Sequence, residues 1–362
     1  MAEKQKRSPR RLVRRFYSER YLLLTLLSFA VSVSFTRLFL EITGYPQLGG
    51  SELHFAHVLW GGLIWFAGSL FHLIFANHRA LDISAVLTGI GAGLFIDEVG
   101  KFITQSNDYF YPGAAPIIYS FFLITLLIFT ILRKQKLSTP RERLYSILEQ
   151  FEEVLEGDLS DVERDRMIAE LYAVSNQPEA ADFQRLAKHF KNILEDKDQK
   201  VVIHQPDYFD RADDWWHTIK GKFFSKRKKP LWLFLIWFTI GLISILHPII
   251  SLFAAKLGFS LPGFWNEFIK INLNTVEGIG WIERLRLAGE AVIGGCLIFS
   301  AFAGFFGLKR LGANMAYISI LLLIIMVNLL VFFFDQFSAI FYTAIHFIVL
   351  FLTRQYRLLL NE

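Results

Sequence analysis

The chain has 362 residues, of which 53% are hydrophobic and 20% are charged, and 37 of them are Phe. This balance excludes an ordinary soluble domain, which carries more charge. A single cysteine, Cys296, excludes an internal disulfide and a cysteine metal cluster. The net charge of +5 does not indicate nucleic acid, because the basic residues cluster beside apolar stretches, as membrane topology signals do.

Eight apolar stretches are long enough to cross about 30 Å of hydrocarbon as helices. They cover residues 20–40, 53–76, 82–104, 115–132, 231–254, 286–307, 313–334 and 337–353. The first stretch follows a basic segment and lacks a convincing cleavage site, so we interpret it as an uncleaved span. The sequence therefore predicts an all-α, polytopic transmembrane helix bundle with about eight spans.

The basic residues predict the orientation of these spans. Six groups fall on one side of the membrane if the N-terminus is cytoplasmic, and they lie before the first span and at 78–79, 133–136, 226–229, 309–310 and 354–357. The opposite loops 42–52 and 105–114 contain no Lys or Arg. We therefore expect cytoplasmic N- and C-termini and membrane lipids as direct partners.

Composition divides the chain into four parts. They are a basic cytoplasmic N-terminus (1–19), a first four-span unit (20–136), a cytosolic helical domain (137–229), and a second four-span unit with an outer cap at 255–282 (230–362). Aromatic residues among basic ones at 213–229 predict an interfacial amphipathic helix. Residues 137–229 are also the candidate surface for a homo-oligomer contact or a cytosolic partner.

Local signals define the ends of helices inside the charged domain. Thr139-Pro140 is a typical helix start, and Ser160 with Glu163 forms a capping box for the next helix. Gly157 is the expected end of the first helix, and Pro178 is expected to open a third one. The domain is therefore predicted to be a small helical bundle.

The two groups of four spans share a spacing of polar residues. His57 precedes Gly61-Gly62 by four residues, as Glu290 precedes Gly294-Gly295. Asp97 and Asp335 each lie near the outer end of the following span, and Tyr119 and Tyr342 begin the last span of each set. Because each unit has an even number of spans, this pattern predicts a 4+4 parallel repeat.

Ionisable residues inside the spans mark a candidate polar site, because they are costly in hydrocarbon unless they face the protein interior. Spans two and three are antiparallel and joined by a short inner loop, so their outer ends lie at similar depth. The candidate substrate- or ion-binding residues are Glu52, His54, His57, Asp97, Glu98, Lys101 and Asp108, with Glu290 and Asp335 in the second repeat. Lys101 is spaced to neutralise either Asp97 or Glu98.

Other polar residues have a structural interpretation. Arg37 and Glu41 are spaced i,i+4 and are expected to pair. His72 and His346 are expected to form hydrogen bonds within the core. His247 precedes Pro248, so its imidazole is expected to bond to backbone groups freed by the proline.

Residues 53–110 also resemble small bacterial membrane families such as VanZ-like and YjdF-like proteins. The resemblance rests on His54-Phe55, Gly61-Gly62 and Glu98, with Glu52 in place of the families' aspartate and Lys101 in place of a typical glutamine. It covers about 60 of the 362 residues. The resemblance implies a bacterial inner membrane and brings no assigned reaction.

Three functions remain open at this point. The first is ion- or proton-coupled transport or permeation, with Asp97 and Glu98 binding the ion and His54 and His57 relaying or sensing protons near neutral pH. The second is an enzyme acting on a lipid or lipid-linked substrate, with His54, His57, Asp97 and Glu98 as ligands of Zn²⁺ or Fe²⁺. The third is a scaffold whose charges only lock helices together. No His-Glu-x-x-His motif, phosphate loop or nucleophile elbow decides between them.

Overall fold

A computed structural model of the chain describes residues 12–44, 57–134, 139–176, 181–196, 230–257 and 280–361. Nearly all of these residues are helical. The helices are α1 (Ser18–Thr43), α2 (His57–Ile74), α3 (His78–Asp97), α4 (Val99–Ile103), α5 (Ala114–Lys134), α6 (Pro140–Glu156), α7 (Asp161–Ser175), α8 (Ala181–Leu194), α9 (Leu231–Leu257), α10 (Gly280–Phe305), α11 (Lys309–Leu322), α12 (Asn328–Asp335) and α13 (Ile340–Asn361). A π-helical turn (Leu323–Val327) joins α11 to α12, and a 3₁₀ turn (Gln336–Ala339) joins α12 to α13.

Seven helices in the described ranges are long and apolar enough to cross a membrane. They are α1, α2, α3, Ala114–Arg133 of α5, Leu231–Phe253 of α9, α10, and Lys309–Asp335, which runs from α11 through α12. The predicted eighth span at 337–353 covers the end of the 3₁₀ turn and the first part of α13, which is not among the seven. Because Arg354 and Arg357 continue that helix, its uncharged part is only about 21 Å long at 1.5 Å per residue.

The chain forms two compact units. Unit 1 comprises Met1–Phe29, Leu63–Gly91 and Thr125–Arg211, and unit 2 comprises Ala30–Gly62, Ala92–Ile124 and Ala212–Glu362. Each unit draws on several separate stretches of the chain, so neither coincides with a single continuous segment.

Within unit 1, α6, α7 and α8 pack as the small helical bundle that the local signals predict. Thr139 and Ser160 each form a capping box, in which the hydroxyl accepts from a backbone N–H and the third-position glutamate bonds back. Gly157 ends α6 with φ of 74°, a conformation that glycine adopts at little cost. The bundle encloses a core of Leu144, Ile147, Leu159, Met167, Leu171, Val174, Ala187 and Leu194. The predicted start at Pro178 and the interfacial helix at 213–229 lie outside the described residues.

Carboxylates of α6 receive hydrogen bonds from the N-terminal ends of α1 and α3. The bonds run from the Phe16 backbone N–H to Glu149 Oε2 (2.6 Å), from the His78 backbone N–H to Glu152 Oε1 (2.7 Å), and from Tyr17 Oη to Glu153 Oε1 (2.8 Å). Helix N-termini favour nearby negative charge. These acidic side chains therefore fix α6 against the first and third membrane helices.

Glycine permits close contact between α1 and α3 in the same unit. A Cβ atom on Gly89 would lie 2.4 Å from the Thr25 carbonyl oxygen and 2.7 Å from the Ser28 Cβ. Small residues drive helix association in membranes because they let backbones approach closely. Gly89 is thus a packing residue between α1 and α3.

The core of unit 2 is formed by α9, α10, α11 and α13 together with part of α5. Trp237 is fully buried there and donates from Nε1 to Thr353 Oγ1 over 2.9 Å. Tyr119 donates to the Ile324 carbonyl oxygen over 2.9 Å, inside the π-helical turn. The backbone of a π-helical turn does not follow the regular hydrogen-bond spacing of an α-helix. Here the Ile324 carbonyl oxygen accepts from the Tyr119 side chain.

Candidate functional site

Two ionic clusters lie within the described part of unit 2. The Asp97 cluster consists of Arg37, His57, Asp97, Glu98, Lys101 and Tyr109. The Arg286 cluster consists of His247, Glu283, Arg286, Glu290 and Asp335. In each cluster, an arginine and a histidine lie on different helices, and one of the two contacts more than one carboxylate.

A break in the helix positions the two acids of the Asp97 cluster. Helix α3 ends at Asp97, and α4 begins at Val99 after Glu98, whose φ and ψ are −91° and 12°. Successive side chains on a continuous α-helix point about 100° apart. Because the helix is interrupted here, Asp97 and Glu98 both reach the imidazole of His57.

Asp97 is completely buried and accepts hydrogen bonds at both carboxylate oxygens. Arg37 donates from Nε to Oδ1 over 2.6 Å and from Nη2 to the Asp97 backbone oxygen over 2.9 Å. Tyr109 donates to Oδ2 over 2.8 Å, and His57 Nε2 lies 3.0 Å from the same oxygen. These partners compensate for the desolvation of a carboxylate that has no contact with water.

His57 bridges the two carboxylates. Its Nδ1 lies 2.8 Å from Glu98 Oε1, and Lys101 donates to Glu98 Oε2 over 3.3 Å. The Nε2 contact with Asp97 has hydrogen-bond geometry, whereas the Nδ1 contact with Glu98 Oε1 is an ion-pair distance only. The His57 side chain is 22% exposed, while both acids are buried.

Tyr109 adds an aromatic face to this cluster. The Arg37 guanidinium lies 4.1 Å from the centre of its ring, within the range of a cation–π interaction. Burial, and then the negative charge of Asp97, raise the pKa of the Tyr109 hydroxyl, which therefore stays protonated and donates. Neither Arg37 nor Tyr109 was predicted as a site residue, although the position of Arg37 inside a span was a signal for it.

The Arg286 cluster is built mainly on α10. Arg286 donates to both oxygens of Glu283, over 2.9 Å from Nε and 2.6 Å from Nη2. Its Nη1 lies 3.7 Å from Glu290 Oε1 and 3.6 Å from Asp335 Oδ2. His247 of α9 places Nδ1 2.8 Å from Glu290 Oε2. The cluster thus contains both residues that were predicted for the second repeat, Glu290 and Asp335.

The two clusters differ in charge. Among the described residues of the Asp97 cluster, Arg37 and Lys101 balance Asp97 and Glu98, so these groups are together neutral or, with a protonated His57, positive. In the Arg286 cluster, Glu283, Glu290 and Asp335 surround one guanidinium. Even a protonated His247 leaves an excess of negative charge among the described residues there.

Some of the sequence-predicted site residues lie elsewhere. Glu52 and His54 are outside the described residues. Asp108 accepts a hydrogen bond from the Phe110 backbone N–H over 2.9 Å, a contact that stabilises its own turn. Lys101 pairs with Glu98, one of its two predicted partners.

The structure changes the partners expected for other polar residues. Arg37 contacts Asp97, whereas its expected partner Glu41 is exposed. His247 contacts Glu290, so the expected bond to freed backbone was wrong, because a carboxylate on α10 comes within reach. His346 lies 3.2 Å from the Asn328 side chain, a hydrogen-bonded position in agreement with its structural interpretation.

His72 likewise has a hydrogen-bonded position, within unit 1. Its Nδ1 lies 3.1 Å from Ser84 Oγ. No group of three His, Cys, Asp or Glu residues in the described ranges is placed to hold a metal ion. Because His54 lies outside those ranges, the Zn²⁺ or Fe²⁺ site of His54, His57, Asp97 and Glu98 stays a prediction.

Seven membrane-capable helices and two buried ionic clusters define the chain as a multi-pass, all-α membrane protein. Beyond that class, no protein-family model, no curated protein and no solved structure matches the chain.

Proposed function

We propose that this protein transports protons or small cations, or lets them permeate, and that the Arg286 cluster is the binding site. The observation that carries this proposal is the excess of carboxylates over positive side chains among Glu283, Arg286, Glu290 and Asp335. Uncompensated charge within a membrane span is costly and characteristically marks an ion or proton pathway. A bound proton or cation removes this cost.

Two members of the cluster are suited to exchanging that ion. His247 places Nδ1 2.8 Å from Glu290 Oε2, so its imidazole N–H can donate to this carboxylate. Asp335 is the most exposed of the three acids, with a side chain 30% accessible, whereas Glu283 is held by two bonds from Arg286. In this proposal Asp335 and Glu290 exchange the ion, and Glu283 fixes the guanidinium.

The composition of the two clusters supports a parallel repeat. The Asp97 cluster draws on α1, α2 and the end of α3, and the Arg286 cluster draws on α9, α10 and the end of α12. These are the first, second and third spans of each predicted set of four. We propose that the 4+4 repeat places two related sites at matched depth, one neutral and one acidic.

The basic groups that flank the spans support a cytoplasmic location for both termini, and we propose the bacterial inner membrane, as the resemblance of residues 53–110 implies. In that orientation α6, α7 and α8 form the cytosolic domain, and their exposed surface is available to a partner or to a second copy of the chain. Both clusters then lie toward the periplasmic side.

Proteoliposomes with a trapped pH-sensitive dye test the proposal. We expect the parent to dissipate an imposed pH or cation gradient, and Asp335→Asn and Glu290→Gln to slow this by at least about tenfold, since each removes an ionisable group from the pathway. The matched control is Asp182→Asn, an exposed acid of α8 outside the membrane helices. Equal rates for the parent and all three variants would exclude the proposal.

A scaffold role is the second candidate, and the charge balance of the Asp97 cluster favours it. Asp97 accepts hydrogen bonds at both carboxylate oxygens, and Glu98 lies within ion-pair distance of His57 and Lys101, an arrangement that holds α1, α2 and α3 together. Under this hypothesis Asp335→Asn lowers thermal stability while the parent shows no ion flux above that of empty liposomes.

A further inference from the structure

An acidic cavity of about 150 Å³ lies in unit 1, where the starts of α1 and α3 meet the α6–α7 turn. Four carboxylates line it, Asp82, Glu153, Asp158 and Glu163, and Arg20 is the arginine in its wall. None of these residues belongs to the Asp97 cluster or the Arg286 cluster of unit 2. A ligand of this cavity is therefore independent of the transport proposal.

The Arg20 guanidinium in the cavity wall is already paired with a carboxylate. Arg20 donates from Nε to Asp82 Oδ1 over 3.0 Å and from Nη2 to Oδ2 over 2.8 Å, a bidentate pair. Across the described residues, Glu153, Asp158 and Glu163 form no ion pair with Lys, Arg or His. The cavity therefore carries an excess of negative charge after its one bidentate pair is formed.

Glu153 is the second observation that points to a ligand. The residue is only 7% exposed, and its Oε1 accepts the hydrogen bond from Tyr17. Its Oε2 is buried and has no hydrogen-bond partner within the described ranges. A buried acceptor left unsatisfied is destabilising, which indicates that a group entering the cavity completes it.

Neighbouring groups do not supply that partner. His78 turns its Nδ1 toward Glu152 at 3.1 Å, and Glu163 uses Oε2 to accept from the Ser160 backbone N–H at 3.0 Å. Asp158 follows the left-handed Gly157 and is exposed at the mouth of the cavity. Glu153 and Asp158 thus offer carboxylate oxygens from the inside and the outside of one small space.

We propose that this cavity binds one hydrated divalent cation, Mg²⁺, between Glu153 and Asp158. Mg²⁺ keeps several of its waters and is commonly held by one or two carboxylates, whereas Ca²⁺ prefers six to eight oxygen ligands. The cavity volume equals that of about five waters.

The cation replaces the proton that Glu153 otherwise holds. Burial, and then the neighbouring Glu163 and Asp158, raise the pKa of Glu153 to about 7, against the opposing hydrogen bond from Tyr17. Bound Mg²⁺ connects the end of α6 with the α6–α7 turn, beside the Tyr17 contact that joins α6 to α1. We infer that the ion stabilises the attachment of the helical bundle to the first membrane helix.

Mn²⁺, a spectroscopic substitute for Mg²⁺, tests the site on the full chain in detergent. Electron paramagnetic resonance measures free Mn²⁺ and so gives the number of bound ions. The competitors are Mg²⁺ and cobalt(III) hexaammine, which mimics a hydrated ion and does not exchange its ligands. The variants are Glu153→Gln and Asp158→Asn. The control is Glu156→Gln, an exposed acid on the same helix. Circular dichroism verifies that each variant is folded.

We expect one Mn²⁺ per chain, displaced by Mg²⁺ and by cobalt(III) hexaammine, with affinity about tenfold lower in Glu153→Gln and in Asp158→Asn, because ligand charge determines affinity in such sites. Glu156→Gln should bind as the parent does. Absence of a bound ion in the parent, or unchanged affinity in both cavity variants, would overturn the site. Displacement by Mg²⁺ but not by cobalt(III) hexaammine would show that the ion is not bound in its hydrated form.

Discussion

Gln336 donates a hydrogen bond from Nε2 to the carbonyl oxygen of Phe110 over 3.1 Å. Phe110 follows Tyr109, which bonds to Asp97, and Gln336 follows Asp335, which lies beside Arg286. The bond therefore connects the segments that carry the two clusters. Gln336 has φ of 47° and ψ of −127°, a conformation that side-chain-bearing residues rarely adopt, so the link is formed at a cost in backbone strain.

Substitutions at Gln336 separate that strain from the hydrogen bond. Gln336→Ala loses the bond and keeps the strain, and we expect it to lower the free energy of unfolding by about 1 kcal/mol. Gln336→Gly loses the bond and relieves the strain, so it should be more stable than Gln336→Ala by roughly 1 kcal/mol. Thermal unfolding in detergent measures both. An alanine variant as stable as the glycine variant would show that the backbone here is unstrained.

Neutralising Asp97 should be among the most damaging changes in the first set of spans. Asp97→Asn removes the negative charge that the buried Arg37 guanidinium contacts, and breaking a buried ion pair typically costs about 3–5 kcal/mol. Titration with a denaturing detergent, followed by circular dichroism, measures the change.

Asp108→Asn is the matched control for Asp97→Asn, because an asparagine oxygen can still accept from the Phe110 N–H. We expect its stability to stay within about 0.5 kcal/mol of the parent. If Asp97→Asn were equally harmless, the ionic contacts of the Asp97 cluster would not hold α1 against α3.

Glu153 predicts how stability depends on pH in the absence of divalent cations. Its pKa rises from 4.5 to about 7 on folding, so below pH 4.5 both states are protonated. Between pH 4.5 and 7 the unfolded state ionises first and stability falls. Above pH 7 the free energy of unfolding is lower than below pH 4.5 by the full amount, on the order of 3 kcal/mol. Glu153→Gln should therefore exceed the parent in thermal stability above pH 7 and lack this part of the pH dependence.

Measured in EDTA, Glu156→Gln should retain the parent's pH profile, since this acid is exposed on the same helix. The informative quantity is the difference in thermal stability between each variant and the parent across pH 4 to 8, because the histidines are the same in the variants and the parent. A constant difference between Glu153→Gln and the parent would contradict the raised pKa.

Two adjacent glycines of α10 should respond differently to substitution. A Cβ on Gly294 would lie 2.7 Å from the Gly241 carbonyl oxygen of α9, whereas nothing lies within 4 Å of a Cβ on Gly295. We expect Gly294→Ala to destabilise the protein by about 1–3 kcal/mol through backbone displacement. Gly295→Ala should be neutral or stabilising by up to about 1 kcal/mol, because alanine favours the helix. Equal melting temperatures would refute the close α9–α10 contact.

The membrane class and the local helix signals could be derived from the sequence. Seven of the predicted spans agree with membrane-capable helices, because hydrocarbon thickness requires a long apolar stretch in each. The helix start at Thr139 and the capping box at Ser160 were predicted, and both of these caps, like the pair of Glu98 with Lys101, join residues three positions apart. Such contacts follow from helix geometry alone. The predicted eighth span at 337–353 is not among the membrane-capable helices and stays a prediction, since Arg354 and Arg357 directly follow its apolar part in α13.

The partners of the buried charges were decided by tertiary structure. Arg37 meets Asp97 across 60 positions and His57 meets it across 40, distances at which spacing on one helix carries no information. From the sequence we expected Arg37 to pair with Glu41, four residues away, and His247 to bond to freed backbone groups. Spacing in the sequence shows only which residues lie close along the chain. Which helix packs beside which is determined by side-chain fit over the whole bundle, and this decided the composition and charge of both clusters.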